Sequence, residues 1–203
     1  MSLVPEFELG LWNAWIFIVL QFLLNTIFPV LINKETMKKM DLLAPYRKPT
    51  SHHNTKKVLA LATHAIIMPF TIFYSIFLPL KLGTVWFYVG LPICLLSLVM
   101  NLIASINIVT TPLDELVTKG VYRISRNPIY FSAFLMYVGI GLACASWIFL
   151  LCGATWIIIW HIAAKAEERF LLEKYGNTYR EYMNRTPRWI GIPSSRKNKR
   201  EDQ

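Results

Sequence analysis

Apolar runs long enough to cross a bilayer follow one another along this chain, and polar residues gather between them. Leu11 to Ile32, Val58 to Leu80 and Val85 to Val109 contain no Asp, Glu, Lys or Arg. Each reaches the roughly 20 residues that a helical crossing needs. A fourth run, free of those residues from Ile129 to Ala164, is too long for one crossing. Taken to Ala166 it would form a straight helix of about 57 Å at ~1.5 Å per residue, nearly twice the about 30 Å of a bilayer core. It must turn back, and the small residues from Gly139 through Gly141, Ala143, Cys144 and Ala145 to Ser146 predict where. The expected fold is an all-α integral membrane bundle of five transmembrane segments. Its last two form a helical hairpin, and a cytoplasmic helical extension follows.

Composition supports one such domain over residues 1–203. The 203 residues are 55% hydrophobic with a mean hydropathy of +0.42, too apolar for an ordinary soluble domain. Within it, 11–109 holds the first three spans, 110–188 the hairpin region and 189–203 a basic tail. The first apolar run is too long for a signal-peptide core and lacks a basic stretch before it, so it is expected to be a retained span.

The net charge of +9 would suit a nucleic-acid partner, but its distribution argues against one. Seven Lys/Arg lie from Lys34 to Lys57, three from Lys119 to Arg126 and ten from Lys165 onward, with Lys81 alone elsewhere. If five spans alternate, twenty cations fall on one side and one on the other. The positive-inside rule then puts the N-terminus outside and the C-terminus in the cytoplasm. The tail residues Arg196, Lys197, Lys199 and Arg200 suit anionic lipid. Trp12, Trp15, Trp86, Tyr88 and Trp147 near span ends suit an interfacial belt. Cys94, Cys144 and Cys152 fall inside spans without zinc-like spacing and read as packing residues. Leu42 to Thr55, with Pro45, Pro49 and His52-His53, reads as an irregular cytoplasmic loop.

The polar residues flanking the hairpin carry the candidate chemistry. Asn127-Pro128 predicts a helix start, with Asn at the N-cap and Pro where the unpaired N–H is dispensable. With Arg123 and Arg126 just upstream, that helix terminus also suits a carboxylate or phosphate. At the other end Glu167-Glu168 continue a helix expected to stop at Gly176. Acidic residues beside anionic lipid sit badly unless a cation occupies them. One anion-binding and one cation-binding half at the same membrane face suit a zwitterionic ligand.

The stretch Asp114 to Tyr130, containing Gly120-Val121-Tyr122 and Arg126-Asn127-Pro128-Ile129-Tyr130, followed after the hairpin by Glu167-Glu168 and the residues to Tyr182, resembles a known family. It is similar to the isoprenylcysteine carboxyl methyltransferase and phospholipid methyltransferase superfamily of integral membrane enzymes, with their Gly-x-Tyr, Arg-x-Pro-x-Tyr and Glu-Glu pattern. The resemblance covers about the C-terminal half. It implies an S-adenosylmethionine-dependent methyltransferase, with the cofactor entering from the cytoplasm and a lipid or small hydrophobic acceptor from the bilayer. By position in the family pattern, Asp114, Glu115, Leu116, Val117, Tyr122, Asn127, Pro128, Ile129, Tyr130 and Glu167 are expected to contact the cofactor, and Arg126 and Glu168 to act in catalysis. The family often has His where this chain has Asn127, and Asn-Pro-x-Tyr resembles the phosphatidylethanolamine methyltransferase version. Ala163 stands where the carboxyl methyltransferases place a carboxylate-binding Arg, which favours an amine, thiol or lipid head group as acceptor.

Two other classes compete. An NADPH-dependent sterol-reductase-like oxidoreductase resembles the same C-terminal half but normally has a longer membrane domain. A noncatalytic membrane protein or small transporter would be expected to carry polar residues inside its spans. Asn101 and Asn107 are the notable ones, and such a pair reads as helix-to-helix hydrogen bonding.

Overall fold

A computed structural model describes residues 8–32 and 55–191, with side chains given except at 26 and 55–64. The basic stretch before residue 55, including His52-His53, and the tail from 192 lie outside the described residues. Among the described residues all regular structure is helical, apart from an isolated bridge between Asn13 and Pro79. In chain order the helices are α1 (Trp15–Ile32), α2 (Thr55–Ile76), α3 (Val85–Val109), α4 (Pro128–Ala143), α5 (Trp147–Tyr175) and α6 (Asn177–Arg185).

Three of them, α1, α3 and α5, are long and apolar enough to cross a membrane. Leu96, Val99, Leu151 and Ile158 on α3 and α5 are each more than half exposed, as surfaces facing lipid would be. Together with the family described below, they make this a membrane protein. Of the five expected crossings, α4 has 16 residues and falls short of the about 20 that a crossing takes. α2 has 22 residues, of which those from Val58 to Ile76 carry no Asp, Glu, Lys or Arg.

One end of the bundle is tied together by backbone. Ala14 N–H donates to Leu78 O at 2.9 Å, Leu80 N–H to Trp12 O at 3.0 Å and Lys81 N–H to Ala143 O at 3.0 Å. The start of α1, the end of α2, the start of α3 and the end of α4 therefore meet there. The exposed Trp12, Trp86, Tyr88 and Trp147 ring the same end, the arrangement expected of interfacial aromatics.

α4 and α5 fold back on each other, but the turn is tighter than the small-residue run suggested. α4 continues to Ala143, and only Cys144 to Ser146 turn. Ser146 N–H bonds Gly141 O and Ala145 N–H bonds Leu142 O, both at 2.8 Å, closing the helix in the Schellman pattern. Ala145 takes the positive φ, 51°. The Ser146 hydroxyl then caps α5 by accepting from Phe149 N–H at 3.3 Å. Gly139 and Gly141 serve packing instead. A Cβ on Gly139 would stand 2.6 Å from Cys94 Sγ, and one on Gly90 would stand 2.3 Å from Ala143 N. With no hydrophobic drive between helices in lipid, such close backbone approach is what holds α3 against α4.

Candidate functional site

α4 and α5 diverge from their turn toward the other end, where the polar residues collect. An aromatic ladder leads there along their interface. Tyr137 stacks on Phe149 with ring centroids 5.2 Å apart, Trp156 on Trp160 at 5.2 Å and Trp160 on Tyr130 at 6.1 Å. At its end the Tyr130 hydroxyl donates to the Glu167 carboxylate, across 37 positions of sequence. The hairpin thus brings Tyr130 of the Asn-Pro-x-Tyr segment and Glu167 of the Glu-Glu pair together.

Glu168 points to a different set of partners. It is buried, and Arg188 meets it with Nε to Oε1 at 2.9 Å and Nη2 to Oε2 at 2.6 Å. Arg126 Nη2 stands 3.3 Å from the same carboxylate. Two guanidiniums therefore share one carboxylate, leaving a net positive cluster. The Glu168 carboxylate holds the Arg188 guanidinium above its already high ordinary pKa, chiefly through their hydrogen bonds. Arg126 has a side chain only 9% exposed, and among the described residues its Nε and Nη1 have no hydrogen-bond partner. Buried guanidinium N–H groups normally do.

The segment Thr186 to Gly191 straps this cluster to the loop before α4. Arg126 N–H donates to Pro187 O at 3.0 Å and Gly191 N–H to Ile124 O at 3.2 Å. Asn127 is a correction to the sequence reading of its side chain as a cap. It does stand at the N-cap position, with Pro128 at the first helical position, yet α4 has no side-chain cap. The Asn127 amide donates instead to Arg188 O at 3.1 Å. The strap outcompetes the cap, and the α4 terminus keeps its partial positive charge unanswered by a side chain.

The other residues singled out in the sequence surround this centre at differing depth. Val117 is buried, Leu116 half-buried, and Asp114 and Glu115 are exposed. Tyr122 is fixed through its carbonyl, which accepts from the Tyr182 hydroxyl at 2.6 Å. Burial, with Tyr182 and Glu167 nearby, pushes the Tyr122 phenol above its ordinary pKa. Gly120 permits this placement, because its φ is +58° and a Cβ there would stand 2.2 Å from Asn107 Nδ2. That Asn107 amide bonds Lys119 O at 3.1 Å, so it anchors the loop and does not bridge helices. Asn101 does bridge helices, donating to Ser132 Oγ of α4 at 3.1 Å. Arg123 is exposed.

Arg188 escaped the sequence reading, and Tyr179 and Tyr182 entered it only as part of the resembling stretch, without a role. An Arg followed by Trp189 just after an amphipathic helix was the available signal. Pairing across 20 and 60 positions gives no periodicity to detect.

Residues 81–178 match a family model described as phospholipid methyltransferase. This segment belongs to the isoprenylcysteine carboxyl methyltransferase and phospholipid methyltransferase superfamily. The match spans α3, the loop to α4, the α4–α5 pair and the first residues of α6, and so includes Tyr122, Arg126, Tyr130, Glu167 and Glu168. It ends before Arg188. Family membership implies methyltransferase activity in general. No curated protein gives a significant match to the chain.

Proposed function

We propose that the protein is an S-adenosylmethionine-dependent methyltransferase working at the cytoplasmic membrane face on an amine-bearing lipid head group. The observation that carries this reading is the Tyr130–Glu167 bond beside an uncapped helix terminus, within a segment matching the phospholipid methyltransferases. Those residues suit the cofactor's chemistry. The α4 terminus at Pro128 and Ile129 fits its carboxylate, and Glu167, oriented by Tyr130, fits its cationic part. Loop residues Asp114 to Val117 and Tyr122 are assigned to the cofactor by their position in the family pattern. Bound there, the cofactor would supply a methyl group on a sulfonium as electrophile.

The remaining residues receive the acceptor. Arg126, with two orphaned nitrogens, holds an anionic oxygen such as a lipid phosphate. Glu168 has both oxygens engaged by guanidiniums, so it acts by keeping Arg126 in place. Once the amine nitrogen is held in line with the methyl carbon, positioning can provide most of the acceleration. As the new N–C bond forms, the amine would give up its proton to water at the membrane face, the sulfonium leaving as a neutral thioether. In this reading five helices cross the bilayer, with the N-terminus outside, and the acceptor enters laterally from lipid.

Ala163, where carboxyl methyltransferases carry an Arg, has no charge to hold a prenylcysteine carboxylate. The test is transfer of labelled methyl from S-adenosylmethionine to phosphatidylethanolamine, an alkyl thiol and a farnesylcysteine analogue. Titration with S-adenosylhomocysteine and NADPH runs alongside. Saturable S-adenosylhomocysteine binding with base-stable labelling of phosphatidylethanolamine is expected. NADPH binding in its place overturns the reaction class. Base-labile labelling of the farnesylcysteine analogue alone overturns the acceptor and assigns Arg126 to a carboxylate.

A further inference from the structure

A second polar cluster lies inside the membrane half of the bundle, on the face of α4 opposite Tyr130. It begins with a break in α1. Leu23–Ile27 form a widened π turn, with Phe28 N–H bonded to Leu23 O. In that register the next carbonyl, Leu24 O, would receive the N–H of residue 29, which is Pro29 and has none. Ser105 of α3 takes the vacancy, donating its hydroxyl to Leu24 O at 3.3 Å. This bond sets the register of α1 against α3. The two helices start at the same end of the bundle, so they run parallel. Gln21 and Asn101, about one turn before Leu24 and Ser105 respectively, therefore stand at the same depth on buried faces.

Gln21 is 8% exposed, and among the described residues neither atom of its amide has a hydrogen-bond partner. Asn25 Oδ1, one turn along, and Asn101 Oδ1 are also buried and unpartnered. The Asn101 orientation is fixed by its neighbour. The Ser132 hydroxyl donates to Ile129 O at 2.8 Å, so it can only accept from Asn101 Nδ2. Its carbonyl oxygen is thereby left over. Unsatisfied amides are costly in lipid, where water cannot serve them. The inventory is three acceptor oxygens against one amide donor group. Neither α1 nor α3 contains a charged residue, so an ionised ligand would meet no counter-charge. Phe22 and Ile106, on neighbouring positions of α1 and α3, are exposed, while the amide atoms themselves are buried, so a lipid would reach them only by displacing side chains on this face.

We propose that Gln21, Asn25 and Asn101 form an intramembrane binding site for an uncharged lipid carrying a hydrogen-bond donor, a hydroxyl being the simplest. The donor lies about 12 Å below the α3 end, counted as eight residues from Val109. At that depth it belongs to a lipid without a charged head group. The site is independent of the methyl-transfer reading, because Tyr130 and Ser132 lie on opposite faces of α4.

The test uses the full chain in nanodiscs, with 1-octadecanol and its methyl ether as probes. Native mass spectrometry reads occupancy. Wild type is expected to bind the alcohol at least tenfold more tightly than the ether. Gln21→Met, nearly equal in size and without an amide, is expected to lose that preference while keeping wild-type S-adenosylhomocysteine binding. Equal binding of alcohol and ether by wild type overturns the proposal without needing any variant. Retention of the preference by Gln21→Met overturns the site. A Gln21→Met protein that melts higher than wild type, in a protein showing no preference, assigns the cluster to a helix contact only.

Discussion

Arg188 grips Glu168 with two parallel hydrogen bonds, 2.9 and 2.6 Å long, from a strap twenty residues beyond it in sequence. This pair fastens the strap to α5, while backbone bonds from Arg126 and Gly191 tie it to the loop that opens α4. Removing the guanidinium leaves Glu168 buried with Arg126 as its remaining ion-pair partner. Arg188→Ala is expected to destabilise the protein by about 1.5 to 3 kcal/mol, the range for hydrogen bonds to charged groups. Arg188→Lys, lacking the fork geometry, should recover only part of it. Thermal unfolding in detergent measures this, and an unchanged melting temperature for Arg188→Ala would show that the strap does not depend on the pair.

Tyr130→Phe and Glu167→Gln probe the other carboxylate. Each removes a charged hydrogen bond while preserving size, so each is expected to weaken S-adenosylhomocysteine binding by roughly 10- to 100-fold, or about 1.5 to 3 kcal/mol. Calorimetric titration gives the number. Wild-type affinity in both variants would place the cofactor elsewhere.

A buried tyrosine cluster predicts alkaline lability. Burial is the main cause that raises Tyr122, Tyr179 and Tyr182 above their ordinary value of 10.0. The unfolded chain releases these protons from about pH 10, while the folded protein keeps them. Stability is therefore whole below that pH and declines as pH rises beyond it. Denaturation midpoints between pH 8 and 11, read with tyrosinate absorbance, should fall together. Tyr182→Phe should flatten the decline, at the cost of the bond to Tyr122 O. A midpoint independent of pH up to 11 would contradict the burial of these phenols.

Orientation follows from charge. Single cysteines at Leu82 and Asn177, both exposed, are expected to react with impermeant maleimide from opposite sides of sealed vesicles, Asn177 from the cytoplasmic one. The native Cys94, Cys144 and Cys152 provide the background control. Labelling of both from one side would rule out the five-span arrangement.

Much of this protein follows from local pattern. A charge-free run too long for one crossing must turn. Asn-Pro must start a helix, and Gly176 with its positive φ of 53° ends α5, because these outcomes depend on residues within a turn or two of each other. The motif residues Arg126, Tyr130, Glu167 and Glu168 were legible for the same reason, as short segments at the two ends of one apolar run. Their pairing was not. Tyr130 reaches Glu167, while Glu168, one residue on and rotated by about 100° on the helix, turns away to Arg126 and Arg188. Only the packing of α4 on α5 decides which carboxylate meets which partner. The diversion of the Asn127 side chain from capping to Arg188 O, and the stranding of the Gln21 amide beside α3, are likewise set by chain segments that sequence spacing leaves far apart. Hydrogen-bond donors choose among the acceptors that the fold delivers, and those become definite only when the helices have packed.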